Sequence, residues 1–183
     1  MQVFKVGFVS LILLFLSVTS SGHEKKWPEK RLRQAWPEAQ SFTSKQVSLT
    51  SSQIAELKTD DIQIGAQDKS PTFYFAEVTQ EKKTKKIGII LFVDATGENG
   101  VMEISVAIGL DGGVKKIDVW DHSEKASIAN NDFLAQFVGK TSKNPLTVNK
   151  DYRPVTGAEK ASVAVARAVN KALKIANIVF EKK

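Results

Sequence analysis

The chain has 183 residues, a formal net charge of +6 and no cysteine. The missing cysteine excludes disulfides, thiolate chemistry, iron–sulfur clusters and thioether-bound haem. The positive charges are mostly dispersed lysines rather than a basic stripe interleaved with aromatic residues, so we expect no nucleic-acid partner.

The first 22 residues have the pattern of a secretory signal peptide. Lys5 precedes an apolar run from Val6 to Val18, and small residues follow that run. The run is shorter than the roughly 20 apolar residues that a membrane-spanning helix needs. We therefore expect export to a bacterial periplasm, cleavage after Ser20 or Gly22, and no transmembrane helix in the mature protein.

Residues 23–70 are expected to form a helical N-terminal segment that packs on the main domain. The tripeptide Trp-Pro-Glu occurs twice in it, and proline followed by an acid suits a helix start. The first copy predicts a helix over residues 28–35 and the second a turn over 37–40. A Ser/Thr-rich start with apolar residues at helical spacing predicts a further helix over 51–58.

Four strand-like runs follow, over residues 72–78, 86–95, 101–110 and 114–120. The short turns between them predict an antiparallel meander. Apolar residues alternate in the third run, which predicts a sheet with one covered face. The lysine-rich stretch Glu81–Lys86 fits an exposed hairpin tip.

Two helices complete the predicted domain, which spans residues 71–183. The first is predicted over 127–140, with Gly139 as its C-terminal stop. The second starts after Gly157 and is rich in alanine, so its backbone can lie close to the sheet. The order indicates an α+β fold, in which an antiparallel sheet of about four strands packs against two C-terminal helices, after a short helical N-terminal segment.

The stretch RPVTGAEKAS, Arg153 to Ser162, opens the last helix and allows two interpretations. Thr156 followed three residues later by Glu159 is a capping box, in which each side chain accepts a hydrogen bond from the backbone amide of the other residue. A glycine at a helix N-terminus also suits phosphate binding, because backbone amides and the helix dipole attract an anion there.

From Phe92 onward the chain resembles the FMN-binding domain. The similar residues are VDATGENGVMEISVAIGLDGGVKKIDVW, then FLAQFVGKT, then PLTVNKDYRPVTGAEKASVAVARAVNKAL, in the family's order and at similar intervals. The family includes flavin subunits of sodium-pumping NADH:quinone reductases and Rnf-type complexes, and envelope proteins related to the nitrous-oxide-reduction regulator. The resemblance implies flavin-linked electron transfer, with envelope redox proteins or a membrane electron-transport complex as partners.

Family members carry FMN through a phosphoester bond to a threonine at the start of the last helix. Glu159 stands at that position here, and a carboxylate cannot replace the hydroxyl acceptor, so covalent attachment there is excluded. Arg153 stands where the family often has aspartate. FMN, where bound, is therefore expected to be non-covalent, although Glu159 would repel its phosphate. The candidate cofactor-binding residues are Thr156, Gly157, Ala158, Glu159, Ser162 and His122.

No catalytic residue is assigned, because the sequence has no convincing nucleophile–histidine–carboxylate set, phosphate loop or carboxylate pair. His122 is the only histidine away from the expected cleavage site, so no metal site is expected. Two alternatives stay open beside electron transfer: a non-catalytic binding or assembly module that kept the fold and lost the flavin, and a protein that binds another planar ligand in the vestigial cleft.

Overall fold

The computed structural model of the chain describes residues 27–59 and 62–180. The predicted signal peptide, residues 1–22, lies outside the described residues. Within the described ranges, no helix is both long enough and apolar enough to cross a membrane.

Five strands form one antiparallel sheet in which neighbours follow the chain order. They are β1 Ser41–Gln46, β2 Thr72–Gln80, β3 Lys83–Thr96, β4 Val101–Gly109 and β5 Val114–Trp120. The helices are α1 Glu29–Ala35, α2 Ser51–Thr59, α3 Asn131–Leu134 and α4 Glu159–Phe180. This architecture confirms the α+β class and adds one strand, β1, to the four that were predicted.

The predicted hairpin between β2 and β3 is present, but its tip is shorter than the lysine-rich stretch. Glu81 and Lys82 form the turn, with φ angles of 50° and 64°. Residues 83–86 already belong to β3 and are exposed.

Both faces of the sheet are covered, so the prediction of one covered face was wrong. On one face, α4 packs along β3 and β4 through small residues such as Ala161, Ala168 and Ala172. On the other face, Leu32 of α1 and Trp36, the residue that follows α1, lie in a second apolar cluster with Tyr74, Ala76, Ile90 and Ala107. The alternation of apolar residues in β4 predicts a core on one side of the sheet. It does not indicate that α1 covers the other side.

The helix predicted over residues 127–140 is reduced to the single turn of α3, flanked by 3₁₀ turns. Asn130 has extended backbone angles and separates the turn that carries Ile128 from the one that carries Phe133. Gly139 ends the segment with a φ of +78°, as expected of a C-terminal stop. The buried side chains of this region are therefore placed by short turns rather than by one continuous helix.

Antiparallel order places the β3–β4 hairpin loop and the loop after β5 at the same end of the sheet. The N-terminus of α4 lies at this end too, since α4 runs antiparallel to β3 and its first turn contacts the β3–β4 loop. The fold thus brings three distant segments to one place.

Candidate functional site

Three loops meet at the N-terminus of α4, and we call this region the three-loop site. It comprises residues 97–100 between β3 and β4, residues 121–125 after β5, and residues 153–158 before α4. Hydrogen bonds tie the first loop to the second, the second to the third, and the first to α4 itself.

Glu98 holds the first-turn amides of α4. Its Oε1 accepts a hydrogen bond from the backbone amide of Lys160 at 2.6 Å, and its Oε2 accepts one from that of Ala161 at 2.8 Å. Amides in the first turn of a helix have no partner within the helix, and a negative charge is favourable there. Desolvation raises the pKa of Glu98, but the hydrogen bonds of its carboxylate, led by the one from Ala161, together outweigh it and place that pKa below its ordinary value.

Glu159, the first residue of α4, turns its carboxylate back toward the preceding loop. Its Oε1 accepts a hydrogen bond from the amide of Gly157 at 2.8 Å. This bond, together with one from the amide of Glu159 itself, lowers the pKa of Glu159, whereas the nearby charge of Glu98 raises it. Two carboxylates therefore share the positive end of one helix.

The predicted capping box is not formed. The carbonyl of Ala158 accepts the first bond of the helix, from the amide of Ser162 at 2.9 Å, so Thr156 lies two residues before the cap. Glu159 reaches the amide of Gly157 instead of that of Thr156. The capping role predicted for Thr156 is taken by Glu98, because the β3–β4 loop delivers a carboxylate directly to the first turn.

The other predicted residues of the motif shape the start of the helix. Gly157 has a φ of +73°, a left-handed conformation that glycine adopts without strain. Ser162 is fully buried, and its hydroxyl accepts from the amide of Val155 at 2.9 Å and donates to the carbonyl of Ala158 at 2.8 Å. Thr156 is exposed, and its carbonyl accepts from Nζ of Lys125 at 2.9 Å. Ser162 thus has a structural role, because its hydroxyl forms hydrogen bonds with the backbone on both sides of Gly157.

His122 lies in the second loop, and within the described ranges no hydrogen bond or ion pair joins it to α4. Its Nδ1 is buried and has no hydrogen-bond partner among the described residues. The structure thus brings five of the six predicted residues together and leaves His122 beside them. In the described ranges, no cluster of His, Asp and Glu side chains could hold a metal ion.

Sequence reasoning missed the residues that organise the first two loops. Glu124 is 8% exposed and accepts hydrogen bonds from Asn99, at 2.7 Å from its amide and 3.2 Å from its side chain. Gly97 lies directly against Glu124, because an added Cβ would be 2.4 Å from Oε1. The short turn predicted the hairpin itself, whereas no local pattern indicated the contacts of Glu124 with Gly97 and Asn99.

The phosphate of FMN does not fit at the N-terminus of α4 in this arrangement. The amides that would hold it are bonded to Glu98 and Glu159. A phosphate monoester brings a further charge of about −2 at neutral pH. Lys125 is the cation that interacts with Glu159, and Glu98 and Glu124 add two more carboxylates to the same region.

A wide cleft of about 1330 Å³ adjoins the site only at Asp121. Its aromatic residues pack on one another, with Tyr74 in edge-to-face contact with Trp27 and with Phe92. The guanidinium of Arg31 lies 5.0 Å from the ring centre of Trp120. These rings therefore stabilise the packing of the N-terminal segment.

Comparison with known proteins agrees with the resemblance noted above. Residues 97–174, from the β3–β4 loop into α4, match the FMN-binding domain family. The crystal structure of NqrC from Shewanella oneidensis has a similar fold, with a TM-score of 0.51 and 11% identity, covering 80% of this chain and 87% of NqrC. At this identity the likeness concerns the fold alone. No curated protein sequence matches the chain.

Proposed function

We propose that the protein is exported to the periplasm and serves flavin-linked electron transport in the cell envelope as a binding or assembly module, without covalent FMN of its own. Residues 1–22 support export, and the FMN-binding domain at residues 97–174 supports the link to flavin systems. The proposal that the protein lacks covalent FMN rests on the hydrogen bonds that Glu98 accepts from the first amides of α4.

The first turn of α4 offers no free hydroxyl, which supports the absence of a phosphoester bond there. Glu159 occupies the acceptor position and offers no hydroxyl. Ser162 is completely buried and already donates to Ala158 and accepts from Val155. A flavin transferase would therefore find no accessible hydroxyl on the first turn of α4.

A second candidate function is electron transfer by the protein itself through non-covalent FMN. Glu98 and Glu159 are exposed and their charges repel each other, so an anion that displaced Glu98 from the amides would relieve that repulsion. The glycine turn at Gly157, which suits the approach of a phosphate, is also present. Envelope redox proteins or a membrane electron-transport complex are the partners under either function.

The visible spectrum of the protein purified from its native envelope, before and after acid precipitation, separates these functions. A colourless protein that also ignores added FMN would support the binding module. Yellow colour released by acid would support the second candidate, and yellow colour kept in the pellet would overturn the absence of a covalent bond. N-terminal sequencing of the same sample tests cleavage after Ser20 or Gly22.

A further inference from the structure

We infer that Glu98 is the specificity-determining residue that closes the N-terminus of α4 to phosphate monoesters. Two carboxylates then prevent flavin attachment. Glu159 replaces the acceptor hydroxyl, and Glu98 occupies the backbone amides of Lys160 and Ala161. The inference rests on the proposed function, because it states how the FMN-binding fold is completed without the phosphate of FMN.

The bonding pattern of Glu98 is that of a bound anion. Its two oxygens accept from two consecutive amides, those of Lys160 and Ala161, at 2.6 and 2.8 Å. Helix N-termini bind phosphate through the same kind of amide, with the helix dipole adding to the attraction. The carboxylate and a phosphate therefore compete for the same donors, and only one of them can be accommodated.

The hairpin holds Glu98 in place from both sides. Gly97 and Gly100 close the loop with a backbone hydrogen bond of 2.9 Å. Asn99, the residue after Glu98, is bound to the buried carboxylate of Glu124 through its amide and its side chain. Because the loop is anchored in this way, Glu98 loses little conformational entropy when it binds the amides of α4. This preorganisation favours Glu98 over an external anion that competes for the same amides.

Restoring the acceptor alone should therefore fail. A Glu159→Thr variant supplies the hydroxyl but leaves Glu98 on the amides of Lys160 and Ala161. A Glu98→Ala variant frees those two amides while Glu159 remains. Only the double variant, Glu98→Ala with Glu159→Thr, removes both obstacles. We expect it to regain covalent flavin when a flavin transferase is co-expressed.

Thermal unfolding in inorganic phosphate, against sodium chloride at equal ionic strength, tests the inference without any flavin. The wild type and Glu159→Thr should show no stabilisation specific to phosphate. Glu98→Ala should unfold at a lower temperature and regain stability as phosphate saturates the site. Glu38→Ala removes the same charge from an exposed residue and should behave like the wild type.

Titration with FMN and with riboflavin provides a second readout, because the two ligands differ only in the phosphate. Charge-assisted hydrogen bonds predict that Glu98→Ala favours FMN over riboflavin by about tenfold to a hundredfold more than the wild type does. If Glu98→Ala does not fold, Glu98→Gln removes the charge and keeps one acceptor oxygen, and it should show a smaller shift in the same direction.

A phosphate-specific stabilisation of the wild type equal to that of Glu98→Ala would overturn the inference. So would the absence of any such stabilisation in both Glu98 variants. The proposed function fails on a different result, the presence of flavin in the native protein, so the two failures can be distinguished.

Discussion

The carboxylate of Glu98 lies 2.8 Å from the backbone amide nitrogen of Ala161, which is 63 residues further along the chain. The β3–β4 hairpin thereby supplies the negative charge that the N-terminus of α4 favours. Because this contact forms only in the folded protein, changes at Glu98 should affect both stability and ligand choice.

We expect the protein to lose stability as the pH falls below about 4.5, the ordinary pKa of a glutamate. At Glu98 desolvation is outweighed by the hydrogen bonds of the carboxylate, led by the one from Ala161. Hydrogen bonds lower the pKa of Glu159 as well, so both pKa values are lowered in the folded state. A lowered pKa means that the unfolded chain binds protons more readily. The stabilisation is therefore complete above the unfolded pKa and is lost as the pH falls through the folded pKa.

A Glu98→Gln variant should accordingly be less stable at neutral pH and should depend less on pH in the acidic range. Urea unfolding at a series of pH values between neutral and strongly acidic measures both effects. Glu38→Gln, at an exposed site, should keep the slope of the wild type. Equal slopes for Glu98→Gln and the wild type would show that Glu98 does not stabilise the folded state electrostatically.

Replacement of Ser162 by alanine should lower the free energy of unfolding by about 1–3 kcal/mol, since it leaves the partly buried amide of Val155 without this partner. The hydroxyl of Ser162 is 2.9 Å from that amide. Urea denaturation measures the change. Ser123→Ala, in an exposed loop position, is the matched control, and an equally small effect of both variants would argue against the structural role of Ser162.

A Gly157→Ala variant should lose about 1–2 kcal/mol of stability, the cost of a left-handed conformation for a residue with a Cβ. The φ of Gly157 is +73°, and the added Cβ would lie 3.1 Å from Nζ of Lys125. Gly65→Ala is a suitable control, because its nearest neighbour would be Oδ2 of Asp68 at 3.5 Å. Calorimetry measures the thermal unfolding of both variants. A Gly157→Ala protein as stable as Gly65→Ala would contradict a cost of the left-handed conformation.

Truncation of Leu32 to alanine should destabilise the entire domain by about 2–5 kcal/mol, the range for large apolar side chains removed from a core. Leu32 is fully buried between α1 and the sheet. Tryptophan fluorescence and far-ultraviolet circular dichroism should report one shared transition at a lower denaturant concentration. Lys30→Ala, on the exposed side of α1, should change little. Two separate transitions would instead mean that the N-terminal segment unfolds independently.

The elements that sequence patterns predicted are those whose cause is local. Strands β2 to β5 show β-branched, aromatic or alternating residues, and α1, α2 and α4 show capping signals or helical spacing. Strand β1 was missed because its sequence SFTSKQ is polar and largely exposed, and its pairing with β2 decides its structure. The helix predicted around α3 was too long because the extended backbone of Asn130 breaks it.

In the candidate site, too, the sequence predicted the features whose cause is local and missed those that depend on distant residues. The motif located Gly157, Glu159 and Ser162 at the start of α4, since the glycine turn and the alanine-rich run are adjacent in the chain. It could not locate Glu98 or Glu124, because their partners lie 62 and 25 residues away. Helix capping was expected from a neighbouring residue, whereas a distant hairpin provides it.

By itself, the sequence determines that residue 159 carries a carboxylate and therefore cannot form a phosphoester bond, since this depends on the chemistry of one side chain. Only the tertiary structure decides which anion holds the first amides of α4. That choice depends on the distance between Glu98 and the amides of Lys160 and Ala161, and the chain closes this distance only when the sheet and α4 pack together.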